Sequence, residues 1–153
     1  MVKVRKTDRI ELLRSVWLFE RCTPKELQAI AKLATPLLAD DGKVLAHEGA
    51  SGGEFFVIVE GTAEATIDGA RIAELGPGQF FGEMALLDRG PRVATVIARS
   101  PMLLLVLSGR EFDELIQQSI PSVSRRMLTV LGQRLREADQ RIVDHGNARL
   151  TGL

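Results

Sequence analysis

The spacing of hydrophobic residues changes twice along the chain, and each change predicts a different kind of element. Before about residue 34, apolar positions recur three or four residues apart, as they do on one face of a helix. From about Pro36 to Leu107 the apolar runs become short, and glycine-containing turns separate them about every 8 to 12 residues, which is typical of a sandwich or barrel. After Leu107 the helical spacing returns.

The first region, residues 8–34, is predicted to be helical. The segment Thr23–Glu26 reads as a helix start, because Thr and Glu at this spacing form a capping box and proline occupies the first helical position. The large side chains of Trp17 and Phe19 are predicted to pack in the core. One face of the first helix would carry the remaining apolar residues, Ile10, Leu12, Leu13 and Val16.

The second region, residues 36–107, is predicted to form an antiparallel barrel. Asp68-Gly69 lies between two short alternating runs and is a strong signal for a β-hairpin. Phe55–Val59 is an uninterrupted apolar run, which predicts a central strand. Val93–Ala98 and Met102–Leu107 are predicted to be the closing pair of strands.

Helices are predicted again over residues 109–143, with a second capping box at Ser108–Glu111 and a restart at Pro121. The last helix carries a seam of apolar residues, alternately three and four positions apart: Leu128, Leu131, Leu135, Ala138 and Ile142. This seam could pack on the chain's own barrel or pair with a second subunit, because two heptads are too few to decide. The charged outer positions, including Arg126 and Arg134, are predicted to be solvated.

The size and charge of the chain limit the possible functions. Its 153 residues suit a single domain, 1–153, and a net charge of zero provides no overall attraction to nucleic acid or to a membrane. A single cysteine, Cys22, rules out an internal disulfide and favours a reducing, cytoplasmic setting. We find no signal peptide and no apolar run near the roughly 20 residues of a membrane helix.

Catalysis is not predicted. The two histidines, His47 and His145, are far apart and have no cysteine or histidine at metal-ligand spacing. The glycine-rich segment Gly76–Gly82 lacks the Gly-Lys-Ser/Thr ending of a P-loop. We therefore predict no catalytic residue, no metal and no cofactor.

The segment from Phe81 to Val96 carries the candidate chemistry. A glycine at 82 lets the backbone approach a ligand, and a helical turn after it would present unpaired N–H groups to an anion. Arg92 offers a planar fork of donors for phosphate oxygens, and Glu83 would suit a sugar hydroxyl. An anionic group beside a sugar hydroxyl indicates a nucleotide. The alternative is that Glu83 and Arg92 form only a structural ion pair.

The same segment, Phe81-Gly82-Glu83-x-Ala85-Leu86 followed by Pro91-Arg92-x-Ala94-Thr95, resembles the phosphate-binding cassette of cyclic-nucleotide-binding domains. Glycine turns at Glu48-Gly49 and Glu60-Gly61 extend the resemblance to most of the chain. It implies that Glu83 binds the ribose and Arg92 the ring phosphate. The complete implied ligand-binding set is Gly82, Glu83, Met84, Ala85, Arg92, Val93, Ala94 and Thr95.

The resemblance also implies a fold and a mechanism. The fold would be mainly β, a jelly-roll-like antiparallel barrel whose cassette (81–95) carries a short helix, with helices before it and a long helix after it. The long helix would cap the nucleobase through Arg134, Ala138 or Asp139 and transmit the signal. Val93 lacks the hydroxyl that many guanine-preferring members carry, which favours cAMP over cGMP.

Two alternatives to a cAMP sensor remain. The chain could be an interaction or structural domain of the same fold with a lost or altered ligand, such as cGMP or another anion. It could also be the sensor half of a transcription regulator that lacks its DNA-binding part. In catabolite-activator-like regulators a helix-turn-helix comes after the long helix, and the sequence shows no such pattern there. The predicted partners are a cyclic nucleotide and a second copy bound through the C-terminal helix, without nucleic acid or membrane.

Overall fold

The computed structural model describes residues 6–82, 90–117 and 125–137. The chain begins with helix α1 (Lys6–Arg14), a 3₁₀ turn (Trp17–Phe19) and helix α2 (Pro24–Leu33). Eight strands follow: β1 (Thr35–Ala39), β2 (Val44–Ala46), β3 (Glu54–Glu60), β4 (Ala63–Ile67), β5 (Ala70–Leu75), β6 (Phe80–Phe81), β7 (Thr95–Ala98) and β8 (Met102–Ser108). Helix α3 (Gly109–Gln117) and a helix over residues 125–137, here called α4, complete the described chain.

The strands form two antiparallel four-stranded sheets, in the orders β1-β8-β3-β6 and β2-β7-β4-β5. This confirms the predicted mainly β, jelly-roll-like architecture with flanking helices. The described strands begin at Thr35 and end at Ser108, within one residue of the predicted limits. The predicted cassette helix falls within residues 83–89, outside the described residues.

Local sequence signals for turns and helix starts are confirmed. Asp68 and Gly69 have φ values of 52° and 78°, as a tight hairpin requires, and they join β4 to β5. The Thr23 side chain accepts from the Glu26 N–H, and the Glu26 carboxylate accepts from the Thr23 N–H. Ser108 and Glu111 make the same reciprocal pair at the start of α3.

The predicted closing pair of strands is wrong. β7 pairs with β2 and β4, whereas β8 pairs with β1 and β3, so the two strands belong to different sheets. The chain crosses from one sheet to the other after Ala98, where Arg99 donates its N–H to the Thr62 carbonyl. Gly61 makes this crossing possible, because a Cβ at that position would collide with the Pro101 carbonyl oxygen.

The strand β3 is buried on both faces, which explains its unbroken apolar sequence. One face contributes Phe55, Val57 and Val59 to a helix-side cluster that also contains residues from the 3₁₀ turn and from α1, α2, α3, α4, β6 and β8. The other face contributes Phe56 and Ile58 to an inter-sheet cluster with Ala39, Ala46, Ala63, Ala65, Leu75, Phe81, Val96, Ala98, Met102 and Leu104.

The core role predicted for Phe19 is confirmed, and that for Trp17 is wrong. Phe19 is buried in the helix-side cluster, but Trp17 is 43% exposed. The guanidinium of Arg126 lies 4.5 Å from the centre of the Trp17 ring and donates to the Trp17 carbonyl and to Glu20. Trp17 therefore stays near the surface as the partner of a cation.

α4 contributes Met127 to the helix-side cluster, where this side chain is buried. Leu128 and Leu135 are 69% and 63% exposed, so packing of these seam residues on the chain's own barrel is wrong. Pairing with a second subunit stays a prediction. Leu131 is half-buried. The remaining two seam positions, Ala138 and Ile142, lie outside the described residues.

Candidate functional site

The backbone around Arg92 is fixed against the loop that precedes β3. The Arg92 N–H donates to the Ala50 carbonyl at 2.8 Å, and the Gly49 N–H donates to the Arg92 carbonyl at 2.8 Å. Ser51 and Pro91 form an isolated antiparallel bridge beside them. These contacts set the direction in which the arginine side chain leaves its loop.

The Arg92 side chain reaches the start of β3 and the end of β6. It is only 7% exposed. Its Nη2 donates to the Glu54 carbonyl at 2.8 Å and its Nη1 to the Gly82 carbonyl at 3.3 Å. The Glu54 carboxylate lies 3.6 Å from Nη2, and the guanidinium carbon is 5.8 Å from the centre of the Phe56 ring. Two backbone carbonyls, a carboxylate and an aromatic ring thus help to orient a buried cation.

Two glycines leave the space that the guanidinium occupies. A Cβ on Gly52 would lie 2.7 Å from the Arg92 Cζ and 2.8 Å from its Cδ. A Cβ on Gly82, where φ is +93°, would lie 2.5 Å from Arg92 Nη1 and 2.6 Å from the Glu54 carbonyl oxygen. Gly53, by contrast, has nothing within 4 Å of an added Cβ. The closeness of Gly52 and Gly82 to Arg92 is therefore a specific packing requirement of this site.

Sequence reasoning missed Gly52 and Glu54. Both stand in the segment Ser51-Gly52-Gly53-Glu54, which reads locally as a turn before a strand. The available signal was the pair of glycines directly before the central strand, because an isolated turn needs only one of them. Their partner Arg92 lies about 40 residues further along the chain, so no local pattern joins them.

The other predicted ligand positions fall into two groups. Val93 is 58% exposed beside Arg92, and Ala94 is half-buried against the inter-sheet cluster. The Thr95 hydroxyl accepts from the Glu48 N–H at 3.1 Å and lies 3.5 Å from the Glu48 carboxylate. The predicted positions that lie outside the described residues are Glu83, Met84 and Ala85.

Arg134, a predicted base-capping residue, rests on the far side of β6. Its guanidinium carbon is 4.8 Å from the centre of the Phe80 ring, and its Nη2 donates to the Phe80 carbonyl. The prediction of a fully solvated charged face is therefore wrong for Arg134 and for Arg126, because both guanidinium groups find an aromatic ring and a carbonyl. The other capping candidates, Ala138 and Asp139, lie outside the described residues.

Arg92 brings a buried positive charge to a glycine-lined loop. Within the three described ranges, no group of three or more His, Cys, Asp or Glu side chains could hold a metal ion. None of the described helices is both long and apolar enough to span a membrane. An arginine fork at a glycine-lined loop is suited to a phosphate group.

Comparison with known families decides the assignment. The family model of the cyclic nucleotide-binding domain matches residues 38–119, which include strands β2 to β8, the end of β1 and the Arg92 loop. The chain belongs to the cyclic nucleotide-binding domain family.

Curated relatives attach this domain to different activities. The acetyltransferase Pat of Mycolicibacterium smegmatis is 32% identical over 139 residues, covering 88% of this chain and 40% of the relative. A cyclic nucleotide-gated potassium channel of Rhizobium etli is 36% identical over 126 residues, covering 80% of this chain and 35% of the channel. The chain thus spans well under half the length of these two relatives.

Solved structures share the fold and include a nucleotide complex. The second cyclic-nucleotide-binding domain of a protein kinase A regulatory subunit, bound to Sp-2Cl-cAMPS, superposes with a TM-score of 0.72 at 25% identity, covering 89% of this chain and 95% of that one. The catabolite activator protein of Thermus thermophilus superposes with a TM-score of 0.71 at 32% identity, covering 82% of this chain and 61% of that one. This domain is thus similar to regulatory domains of kinases and of a catabolite activator.

Proposed function

We propose that the chain is a cAMP sensor in which Arg92 binds the ring phosphate. The proposal rests on the surroundings of the Arg92 side chain. Arg92 is only 7% exposed, and backbone carbonyls of two other segments accept hydrogen bonds from its guanidinium. Two glycines leave the space that the guanidinium occupies. A buried cation is costly unless anionic or carbonyl groups surround it. A phosphodiester would add a full negative charge to these partners.

Recognition of the rest of the nucleotide is proposed from the cassette. Glu83 would accept from the ribose hydroxyl, while backbone groups of Gly82, Ala85 and Val93 would contact the phosphate. The exposed side chain of Val93 carries no hydroxyl for a guanine ligand, which favours cAMP over cGMP. A relative that was solved with a cAMP analogue supports the same choice.

The signal is proposed to leave through α4. This helix is held on β6 by Arg134 and on the 3₁₀ turn by Arg126. A ligand that binds one arrangement of α4 more tightly than another shifts the population toward that arrangement. The movement of α4 over the base, with Arg134, Ala138 or Asp139 as the cap, would be that second arrangement.

The output is proposed to lie outside this domain. The curated relatives are two to three times as long as the matched segment, and one is an acetyltransferase and the other a channel. The domain itself would bind its nucleotide without converting it, in the cytoplasm. The exposed leucines of α4, Leu128 and Leu135, support a homodimer through this helix.

Titration calorimetry with cAMP and cGMP side by side tests the proposal. We expect saturable binding of both, with the tighter binding for cAMP, and no new product when the mixture is separated by chromatography. Linear AMP provides the control for ring closure of the phosphate. Absence of binding at millimolar concentrations of both cyclic nucleotides would contradict the proposed function and favour a domain with a lost ligand.

A further inference from the structure

Glu54 makes two opposed contributions to the Arg92 site. Its backbone carbonyl accepts from Arg92 Nη2 at 2.8 Å and helps to fix the guanidinium in place. Its carboxylate lies 3.6 Å from the same nitrogen and adds a negative charge at the place where an anion would be drawn. One residue thus positions the cation through its backbone and partly neutralises it through its side chain.

The carboxylate is much more accessible than the arginine it faces. The Glu54 side chain is 55% exposed, whereas the Arg92 side chain is 6% exposed. A half-exposed ion pair is held weakly, since water and salt screen the charges and both side chains lose freedom. The Glu54 carboxylate can therefore turn away into solvent while the guanidinium remains on its two carbonyls.

An incoming phosphodiester would meet this carboxylate at close range. Both groups are anions, and both are attracted to the same donors of Arg92, so the phosphate must displace the carboxylate or bear its repulsion. Either outcome lowers the affinity for the nucleotide. The loss is electrostatic, so it must shrink as salt concentration rises.

We propose that the Glu54 carboxylate is a built-in competitor for the anion site, which weakens nucleotide binding and makes it depend on salt. This inference rests on the proposed function, because it takes the ligand to be a cyclic nucleotide whose phosphate meets Arg92. Glu54 would set the affinity for the nucleotide through the charge of its side chain, without binding the nucleotide itself. The domain would in this way respond only to higher nucleotide concentrations.

The test compares Glu54→Gln with the parent chain by titration with cAMP at low and high salt. The amide keeps the size of the side chain and leaves the Glu54 backbone carbonyl on Arg92 unchanged. We expect the Kd for cAMP to fall about three- to tenfold at low ionic strength, the range for one nearby partly screened charge. The gain should largely disappear at about 0.5 M salt, where the screening length is only a few ångströms.

The matched control is Glu60→Gln, which removes the same charge from the other end of β3. Its Kd should equal that of the parent chain at both salt concentrations. Unchanged or weaker binding in Glu54→Gln, or a gain that persists at high salt, would overturn the inference while leaving the proposed function intact. If the parent chain binds neither cAMP nor cGMP, the proposed function fails and this inference fails with it.

Discussion

The paired strands β3 and β6 have an arginine packed against each of their two faces, and the two arginines have very different surroundings. On the inter-sheet face, Phe56 stacks on Phe81 with ring centres 4.7 Å apart, and Arg92 lies beside Phe56. This arginine is buried, and carbonyls at residues 54 and 82 accept from it. Its position is fixed by several segments of the chain at once.

On the helix-side face, Phe55 packs between Phe80 and Phe112, and Arg134 lies over the Phe80 ring. Here the ring and the carbonyl of Phe80 contact a cation that belongs to α4. Phe80 and Phe81 are consecutive residues of the two-residue strand β6, so the strand next to Gly82 contributes one ring to each face. The Arg92 site and the contact between α4 and Phe80 thus lie on opposite faces of the same pair of strands, where the proposed switch would couple them.

The strongest way to break the binding face is Arg92→Ala. We expect binding of cAMP to weaken by about 2–5 kcal/mol, the usual range for losing one partner of a buried charge pair. Calorimetry measures this loss, and circular dichroism checks that the chain still folds with two carbonyls left without their donor. The control Arg99→Ala removes a half-exposed arginine that pairs with Glu64 and should leave the affinity unchanged. Equal affinity in the parent and Arg92→Ala would contradict the assigned role.

A second prediction uses the adjacent glycines of the loop before β3. In Gly52→Ala the new methyl group must push the Arg92 side chain aside, and overpacking of this kind typically costs about 1–3 kcal/mol. We expect cAMP to bind about ten- to a hundredfold more weakly. Gly53→Ala is the control, since its methyl group meets nothing within 4 Å. Indistinguishable affinities for these two variants would show that the seat of Arg92 is unimportant.

On the helix-side face, Arg134→Ala removes the contact between α4 and Phe80, and its expected effect is smaller. The variant loses a cation–π contact and a hydrogen bond to the Phe80 carbonyl, together about 1 kcal/mol at this partly exposed position. Amide hydrogen exchange within 125–137 should speed up about fivefold, without unfolding of the sheets. Arg136→Ala, which removes an exposed arginine of the same helix, should exchange like the parent chain. If the amides of residues 125–137 exchange at the same rate in Arg134→Ala and Arg136→Ala, then Arg134 does not hold α4 in place.

The smallest expected effect concerns the choice of base. Val93→Thr places a hydroxyl at an exposed position next to Arg92 while keeping a β-branched side chain of similar size. One added hydrogen bond typically contributes about 0.5–1.5 kcal/mol, so we expect cGMP binding to improve about two- to tenfold relative to cAMP. Competition between the two nucleotides measures the ratio. An unchanged ratio would remove Val93 from the account of specificity.

Features encoded by neighbouring residues were predicted from the sequence. The hairpin at Asp68-Gly69 and the capping boxes depend on residues at most three positions apart, and the structure shows them as expected. The anion-binding role of Arg92 stays a prediction, and it too came from a local pattern, because the glycine, proline and arginine stand together. The predicted strand Val93–Ala98 begins only at Thr95. Such signals require no knowledge of the tertiary fold.

Features made by distant segments were missed. Gly52 and Glu54 contact Arg92 only because the start of β3 and the loop before β7 lie side by side. The hydrogen bond from Arg92 to the Glu54 carbonyl joins residues 38 positions apart. Arg126 reaches the Trp17 carbonyl across 109 positions, so a charge that reads as solvated becomes a structural contact. The change of sheet between β7 and β8 was not predicted for the same reason, because the sequence of a strand does not specify which strand it pairs with.

A crystal structure of the chain with bound cAMP tests the central claim most directly. The account predicts that oxygens of the cyclic phosphate lie about 2.7–2.9 Å from the Arg92 guanidinium, the distance of a charge-assisted hydrogen bond. It also predicts that the Glu54 carboxylate has turned away while its carbonyl still accepts from Arg92. A nucleotide bound elsewhere, with Arg92 and the Glu54 carboxylate still paired, would contradict it.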